Sequence, residues 1–369
     1  VPNLRFPEFS GEWEMSSIGE QFELYSGNTP SRMNKNQFDG SINWITSGEL
    51  KEHYISDTKE KISEEAAKNN SLKLLPVGTF VIAIYGLEAN GVRGTCSITT
   101  RESTISQACM AFTSKMDIQN EFLYSWYKKH GNIIGIKYAQ GTKQQNLSYD
   151  IIERFNISYP CMEEQKKLIR FISLIDQRIA TQNKIIYKLK SLIRGIAQNM
   201  VHRGKPNVRL SDCMICNSST LQESEVLESG TYPVYGANGI VGYLDCYATL
   251  NEAIYIIKDG SGVGTVFYVA GKCSAAGTLN TLQAKEGYSL QYLYYLLTVF
   301  NFEPYKTGMA IPHIYFKDYG KAKVFCPSHS EQFKYTKLLS TIDSKLLAEQ
   351  NALVNYNLQK QYLLRQMFI

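Results

Sequence analysis

Apolar residues recur at steps of four and three in two stretches of the chain. One runs Leu168, Ile172, Ile175, Ile179, Ile186, Leu189, Ile193, Ile196, Met200; the other runs Tyr335, Leu339, Ile342, Leu346, Leu353, Tyr356, Leu363, Met367. That spacing keeps one side of an α-helix apolar and is the heptad seam of a coiled coil. It predicts a long helix over 163–202, ended by the Gly204-Lys205-Pro206 breaker, and another over 331–367. The second is preceded by Ser328-x-x-Glu331, a capping-box pattern in which the hydroxyl accepts a bond from the third helical amide and the glutamate reaches back. In the first, Cys161 stands where the serine would be, so a weaker cap is expected. Elsewhere the period shortens. Phe80–Tyr85, Ala253–Ile257 and Thr265–Val269 read as strands, Gly91–Gly94 and Gly260–Gly264 as hairpin turns, and Glu121–Lys129 as a short helix.

The two seams belong to a repeat. Sliding residues 141–200 by 167 positions onto 308–367 pairs Gly141, Pro160, Glu164, Gln165, Lys167, Ser173, Ile175, Asp176 and Met200 with identical residues, and the polar interruption Gln182 meets Glu349. Nine identities in sixty positions, joined to one seam at one offset, imply two copies of a module. The β-rich stretches correspond more loosely. Phe122-Leu123-Tyr124 resembles Tyr292-Leu293-Tyr294, Gly94-Thr95 resembles Gly264-Thr265, and Gly40–Trp44 faces Gly230–Val234 after further insertions. The expected fold is α+β: β-rich globular domains over 1–160 and 206–327, a central long helix over 161–205 and a C-terminal one over 328–369, the helices packed as an antiparallel coiled coil with an internal pseudo-twofold repeat.

At 369 residues, 44% hydrophobic and 20% charged, the chain has the composition of a globular protein with room for two or three cores. No apolar run reaches the ~18 residues of a membrane span, and no secretory signal opens the chain, so a cytoplasmic location is expected. The eight cysteines are scattered; Cys213 and Cys216 form a lone C-x-x-C and are read as free thiols rather than a zinc or redox pair. The net charge of +5 is unevenly spread. Lys166, Lys167, Arg170, Arg178, Lys184, Lys188, Lys190, Arg194, Arg203 and Lys205 face only Glu163, Glu164 and Asp176 over 163–205. A basic helix back is either a solvated face or one that lies near a polyanion.

The sequence carries few candidate catalytic groups. No Pro-Pro pair exists, which excludes the Asn-Pro-Pro-Tyr type of loop that presents a base to a methyltransferase. The Gly260-Ser261-Gly262-Val263-Gly264 run lies between strands and lacks a following Lys-Ser or Lys-Thr, so it reads as a turn and not a phosphate loop. Glu49-Leu50-Lys51 matches only half of a nuclease motif, and His53, His130, His202, His313 and His329 are too isolated to ligate a metal together.

Several segments together carry a family resemblance: Leu4-Arg5-Phe6-Pro7-Glu8-Phe9 with Trp13, Trp44–Leu50, Gly141–Asn146, Tyr232–Tyr243, and the twice-used Pro, Glu-Gln, Ile-Asp helix start. The chain resembles, over essentially its whole length, the DNA specificity subunit of type I restriction-modification enzymes. It departs from the family's frequent double proline before Glu-Gln, showing Pro160-Cys161 and Pro327-Ser328.

The resemblance implies a non-catalytic subunit that binds double-stranded DNA, with one half of an interrupted target read by each target recognition domain and the helices acting as spacer and dock. Implied partners are two modification subunits, which bind S-adenosylmethionine and methylate adenine, and restriction subunits using ATP and Mg; no cofactor or metal is expected on this chain. A helix over Leu168–Met200 is about 50 Å long, on the order of 15 base-pair steps. DNA-contacting candidates in the first domain are Asn28, Thr29, Ser31, Arg32, Lys35, Tyr85, Gly86, Lys143, Gln144, Gln145 and Asn146. In the second they are Tyr235, Asn238, Lys258, Ser261, Thr278, Asn280, Lys306 and His313. Arginine matches guanine, and asparagine or glutamine matches adenine, in the major groove. The rival readings are a coiled-coil adaptor whose β-rich domains bind protein and, more remotely, a stand-alone enzyme.

Overall fold

Phe80-Val81-Ile82-Ala83 is apolar at every position, which a strand tolerates only when both faces of its sheet are covered. The computed structural model, which describes residues 1–86, 94–139 and 145–369, shows that cover. The chain forms two units, 1–181 with 353–369, and 182–352.

Unit 1 contains β1 (Phe22–Ser26), β2 (Ile42–Ile45), β3 (Tyr54–Ile55), β4 (Lys61–Ile62), β5 (Phe80–Ala83), β6 (Tyr85–Gly86), β7 (Cys96–Thr99), β8 (Ser103–Ile105), β9 (Cys109–Ser114), α1 (Asn120–Tyr138) and β10 (Gln145–Asn146). The main sheet has the order β1-β9-β5-β7-β3, a smaller one β4-β2-β8, and β6 pairs with β10. Phe80, Ile82 and Phe112 share a core with Phe122, Leu123 and Trp126 of α1. The alternate positions Val81, Ala83 and Ala111 join Ile45 and Ile105 of the smaller sheet. The helix α1 extends well past the expected Lys129, because Ile134 and Gly135 still find buried places beyond it. The first long helix, α2 (Met162–His202), gives its opening half to this unit.

Unit 2 contains β11 (Met214–Ser218), β12 (Tyr232–Gly236), β13 (Gly239–Leu244), β14 (Glu252–Ile257), β15 (Val266–Ala270), β16 (Ser274–Ala275), β17 (Leu279–Ala284), α3 (Leu290–Val299) and most of the second long helix, α4 (His329–Met367). Its sheets run β11-β17-β14-β15 and β13-β12-β16. The division of faces repeats: Ile254, Ile256 and Leu282 meet Tyr292 and Leu293 of α3, while Tyr255 and Ile257 meet Ala275 and Leu279.

Register makes the repeat concrete. In unit 1 Phe80 pairs with both Ile98 and Phe112; in unit 2 Ile254 pairs with both Tyr268 and Leu282. The smaller sheets agree too, with Trp44 parallel to Thr104 and Val234 parallel to Ser274. The glycines Gly94 and Gly264 that precede β7 and β15 both take a positive φ, +73° and +91°, a conformation that favours glycine. The segment that carries β3 has no counterpart in unit 2. Residues 46–60, between β2 and β4, include β3, whereas in unit 2 only Ala237 and Asn238 separate β12 from β13.

None of the seam residues is exposed, and all ten basic residues of 163–205 are. Within unit 1 the end of α4 lies against the start of α2: Arg178 Nε donates to the Tyr356 hydroxyl at 3.2 Å, and Lys360 pairs with Asp176. Within unit 2 Gln182 donates to the Glu349 carbonyl at 3.0 Å, and Arg203 donates to the Tyr335 hydroxyl at 2.5 Å. Rising numbers on one helix thus meet falling numbers on the other.

The start of α4 differs from the expected capping box. The Ser328 hydroxyl donates to the Glu331 carboxylate at 3.3 Å, and it is the Ser328 carbonyl that accepts the Glu331 and Gln332 amides. The repeated device is the next residue. Gln165, fully buried, donates to the Pro160 carbonyl at 3.0 Å and the Asp117 carbonyl at 2.7 Å, and accepts the amide of Gln119, the residue before α1, at 3.1 Å. Gln332 likewise donates to the Pro327 carbonyl at 2.9 Å and accepts the amide of Ser289, the residue before α3, at 2.9 Å. One amide side chain therefore satisfies both a turn carbonyl and an orphan helix-start amide.

Candidate nucleic-acid interface

Strand ends place the polar loops. In unit 1 the Gly27 amide donates to the Cys109 carbonyl and the Ile84 amide to Ala108, so the loop after β1 and the continuation of β5 leave the sheet at the same end. There Leu147 donates to Ile84, and β6 pairs with β10 through Tyr85↔Asn146 and Gly86↔Gln145. Unit 2 repeats this: the Lys258 amide donates to Thr278, Ile314 donates to the Lys258 carbonyl, and Asp259 bridges to His313. Asp259 thus occupies the place of Tyr85, and His313 that of Asn146.

In the loop after β1, Asn28 caps itself: its Oδ1 accepts the Thr29 amide at 2.8 Å, its Nδ2 donates to the Asn70 carbonyl, and its carbonyl accepts the Trp44 indole. Ser31, Arg32 and Lys35 are exposed and Thr29 half-buried. Arg32 is already engaged, donating to both Glu60 oxygens at 2.6 and 2.9 Å and lying over the Phe38 and Trp44 rings. That pair holds the Glu60 carboxyl below and the guanidinium above their usual ranges. Two of the five guanidinium N–H donors are thus committed to Glu60. The structure brings Tyr85, Gly86 and Asn146 together, with Asn146 exposed and Gly86 buried, and Gln145 completes the backbone pairing. Lys143 and Gln144, and most of the Gly91–Gly94 turn, lie outside the described residues.

In unit 2 Lys258 and His313 meet at the strand end, with Ser261 exposed in the β14–β15 turn. Thr278 directly precedes β17, its hydroxyl buried without a partner. Asn280, only 4% exposed, accepts the Ser218 hydroxyl at 2.8 Å and so braces the loop rather than presenting its amide outward. Lys306 pairs with Glu303 at 2.5 Å, and the next residue, Thr307, exchanges backbone bonds with His313. Tyr235 packs edge-on to Tyr255, 6.0 Å between centroids, its carbonyl taken by the Ala276 amide. Asn238 stands exposed at the β12–β13 turn.

Sequence reasoning missed Glu60, which neutralises Arg32, and the equivalence of Asp259 with Tyr85; only strand register reveals the latter. It also missed a cluster around His53. That ring lies between Tyr54 and Tyr124, at 4.1 and 3.8 Å, with Nε2 2.9 Å from Glu121 and Nδ1 3.8 Å from Asp176. Tyr54 also donates to Glu121, and burial beside that carboxylate pushes the phenol up to about 12. The C-x-x-C cysteines part company: Cys213 bonds the Arg209 carbonyl, while Cys216 lies on β11, its thiol pushed up to about 11 by burial. No group of three His, Cys, Asp or Glu suited to a metal occurs among the described residues.

The profile of the type I restriction modification DNA specificity domain matches residues 10–191 and 205–356, well over half of the chain. The chain belongs to the type I restriction-modification DNA specificity family. Among curated relatives, the MjaIX specificity subunit of Methanocaldococcus jannaschii is 29% identical over 185 residues, 48% of this chain and 42% of that subunit. The EcoR124I/EcoR124II subunit of Escherichia coli is 28% identical over 177 residues, so the chain spans under half the length of these two relatives. The EcoprrI subunit of Escherichia coli is 22% identical over 370 residues, 90% of this chain and 88% of that one. Among solved structures, the S subunit of a type I system from M. genitalium covers 100% of this chain, which covers 99% of it, with TM-score 0.64 and 17% identity. A chain of a type I R-M system solved for its complex assembly and conformational transition gives TM-score 0.59 and 14% identity, with 97% of each chain covered. At these identities the family's solved members share the fold with this chain. No helix is long and apolar enough to cross a membrane among the described residues.

Proposed function

We propose that the chain is the non-catalytic specificity subunit of a type I restriction-modification complex and reads a bipartite, interrupted sequence in duplex DNA, one half-site per unit. The reading rests on family membership and on one observation: two scaffolds of identical register present unlike groups at the same sheet end. Where one has Tyr85 and Asn146, the other has Asp259 and His313. A common scaffold with different chemistry at equivalent positions is what two different half-sites demand. Base-edge contacts of this kind discriminate by about 1–3 kcal/mol each, and exposed lysines and arginines supply the salt-dependent phosphate attraction.

The paired long helices then act as an antiparallel coiled coil that spaces the readers and docks modification subunits; a seam with no exposed residue and the Gln182, Arg178 and Arg203 bonds support that role. S-adenosylmethionine, ATP and Mg belong to partner subunits in this scheme. Selection from random duplexes by the chain bound to its modification subunits tests it. A bipartite motif is expected, and exchange of residues 1–160 should alter one half only; alteration of both halves refutes independent reading. Binding insensitive to salt would favour the adaptor.

A further inference from the structure

The missing strand of unit 2 leaves a vacancy whose occupant can be read from unit 1. There β3 adds parallel to the outer edge of β7: the Ile98 amide donates to the His53 carbonyl at 2.8 Å and the Thr100 amide to Ile55 at 2.9 Å. The preceding His53 ring enters a cleft beside α1, stacked on Tyr124 and near Asp176. In unit 2 the strand equivalent to β7 is β15, and it ends its sheet. The register that equates Ile98 with Tyr268 turns the amides of Tyr268 and Ala270 outward. Burial agrees, since every residue of β7 is buried, whereas three of the five in β15 are half-buried and Ala270 is exposed.

The neighbouring cleft is open as well, with a volume of about 430 Å³. Tyr294 takes the place of Tyr124 and Asp343 that of Asp176, and Lys190 and Arg194 add two cations. Asp343, which accepts the Tyr295 hydroxyl, offsets one of these two charges, so the cleft keeps a net positive charge. An unpaired strand edge next to an aromatic, cationic cleft suits an extended polypeptide that adds a strand and seats a side chain.

We propose that the outer edge of β15 and this cleft form a docking site for an extended segment of a protein partner, carrying an acidic residue followed by a planar ring. The segment adds parallel to β15 as residues 53–55 add to β7. Its acid meets Lys190 and Arg194, and its ring lies on Tyr294. The chain's own Glu52-His53-Tyr54-Ile55 has that chemistry in cis.

A synthetic peptide of residues 50–56, added to the full chain, tests the site by hydrogen exchange. At about 1 mM peptide the Tyr268 and Ala270 amides are expected to exchange at least tenfold more slowly, with Ile98 and Thr100 unchanged. Tyr294→Ala removes the ring platform and should abolish that protection. Should that variant fold poorly, Ala270→Pro removes one outward donor at a sheet edge, where proline is tolerated, and should do the same. A Glu52→Lys peptide should bind at least tenfold more weakly. Unchanged exchange at Tyr268 and Ala270, protection that survives both variants, or the same protection from duplex DNA alone would each overturn the proposal.

Discussion

Two residues in unit 1 carry opposite electrostatic burdens. Glu164 is 1% exposed and is held by Arg5 through two bonds of 2.8 and 2.7 Å. Removing one partner of such a pair strands a buried charge, at a cost of about 3–5 kcal/mol, whereas replacing both is far milder. Arg5→Met is therefore expected to lower stability by that amount and the Arg5→Met, Glu164→Met double variant to recover most of it in chemical denaturation; equal losses would show that the pair is solvent-like. His130 works the other way. Burial, and then Lys129, push its imidazole down to about 4, against a bond from its ring to the Trp126 carbonyl. Since the unfolded ring takes a proton near 6.5 and the folded ring only near 4, the unfolded state binds more protons between those values. Stability should fall as pH drops through that window, by at most about 1.4 kcal/mol per pH unit and less in practice because the ring is partly exposed. His130→Phe keeps a ring against Trp126 and should flatten that dependence; an unaltered pH profile would assign it to other groups.

At the level of elements, the Gln165 and Gln332 brackets make a paired prediction. Gln165→Leu leaves the Gln119 amide and the Asp117 and Pro160 carbonyls short of a partner, and Gln332→Leu does so for the Ser289 amide and the Pro327 carbonyl. With about 1–3 kcal/mol per buried group left unpaired, both should destabilise and Gln165→Leu the more; a neutral Gln165→Leu would contradict the bracket. The sequence displayed these glutamines as repeat identities without showing what they bind, because their partners lie 46 and 43 residues away in chain. Other elements were legible in proportion to their periodicity. The long helices lie within two residues of the expected bounds, since a four-three seam over about nine turns has no strand reading. The strands Glu252–Ile257 and Val266–Ala270 came within one residue. The end of α1 was missed because its last turns mix Lys137 and Asn132 with isoleucines and bury only one side. The site was less legible. Asn28, Arg32 and Asn280 looked like free polar groups, and the fold had already engaged each of them.

For the whole molecule, the proposed spacer role ties helix length to the DNA target. Seven residues form one heptad and about 10 Å of helix, equal to about three base-pair steps. Removing one heptad from α2 and the matching one from α4 keeps both seams in phase, because the apolar stripe returns after two turns. Each unit keeps its own sheets, its own core and its own glutamine bracket, so each half-site should be read unchanged. The non-specific bases between them should shrink by about three in the sequences selected by the assembled complex. Deleting four residues instead rotates one stripe away from the other and should cost stability before it changes any spacing. An unaltered spacer after the in-phase deletion, with both half-sites intact, would remove the helices as the ruler and leave them only as a dock.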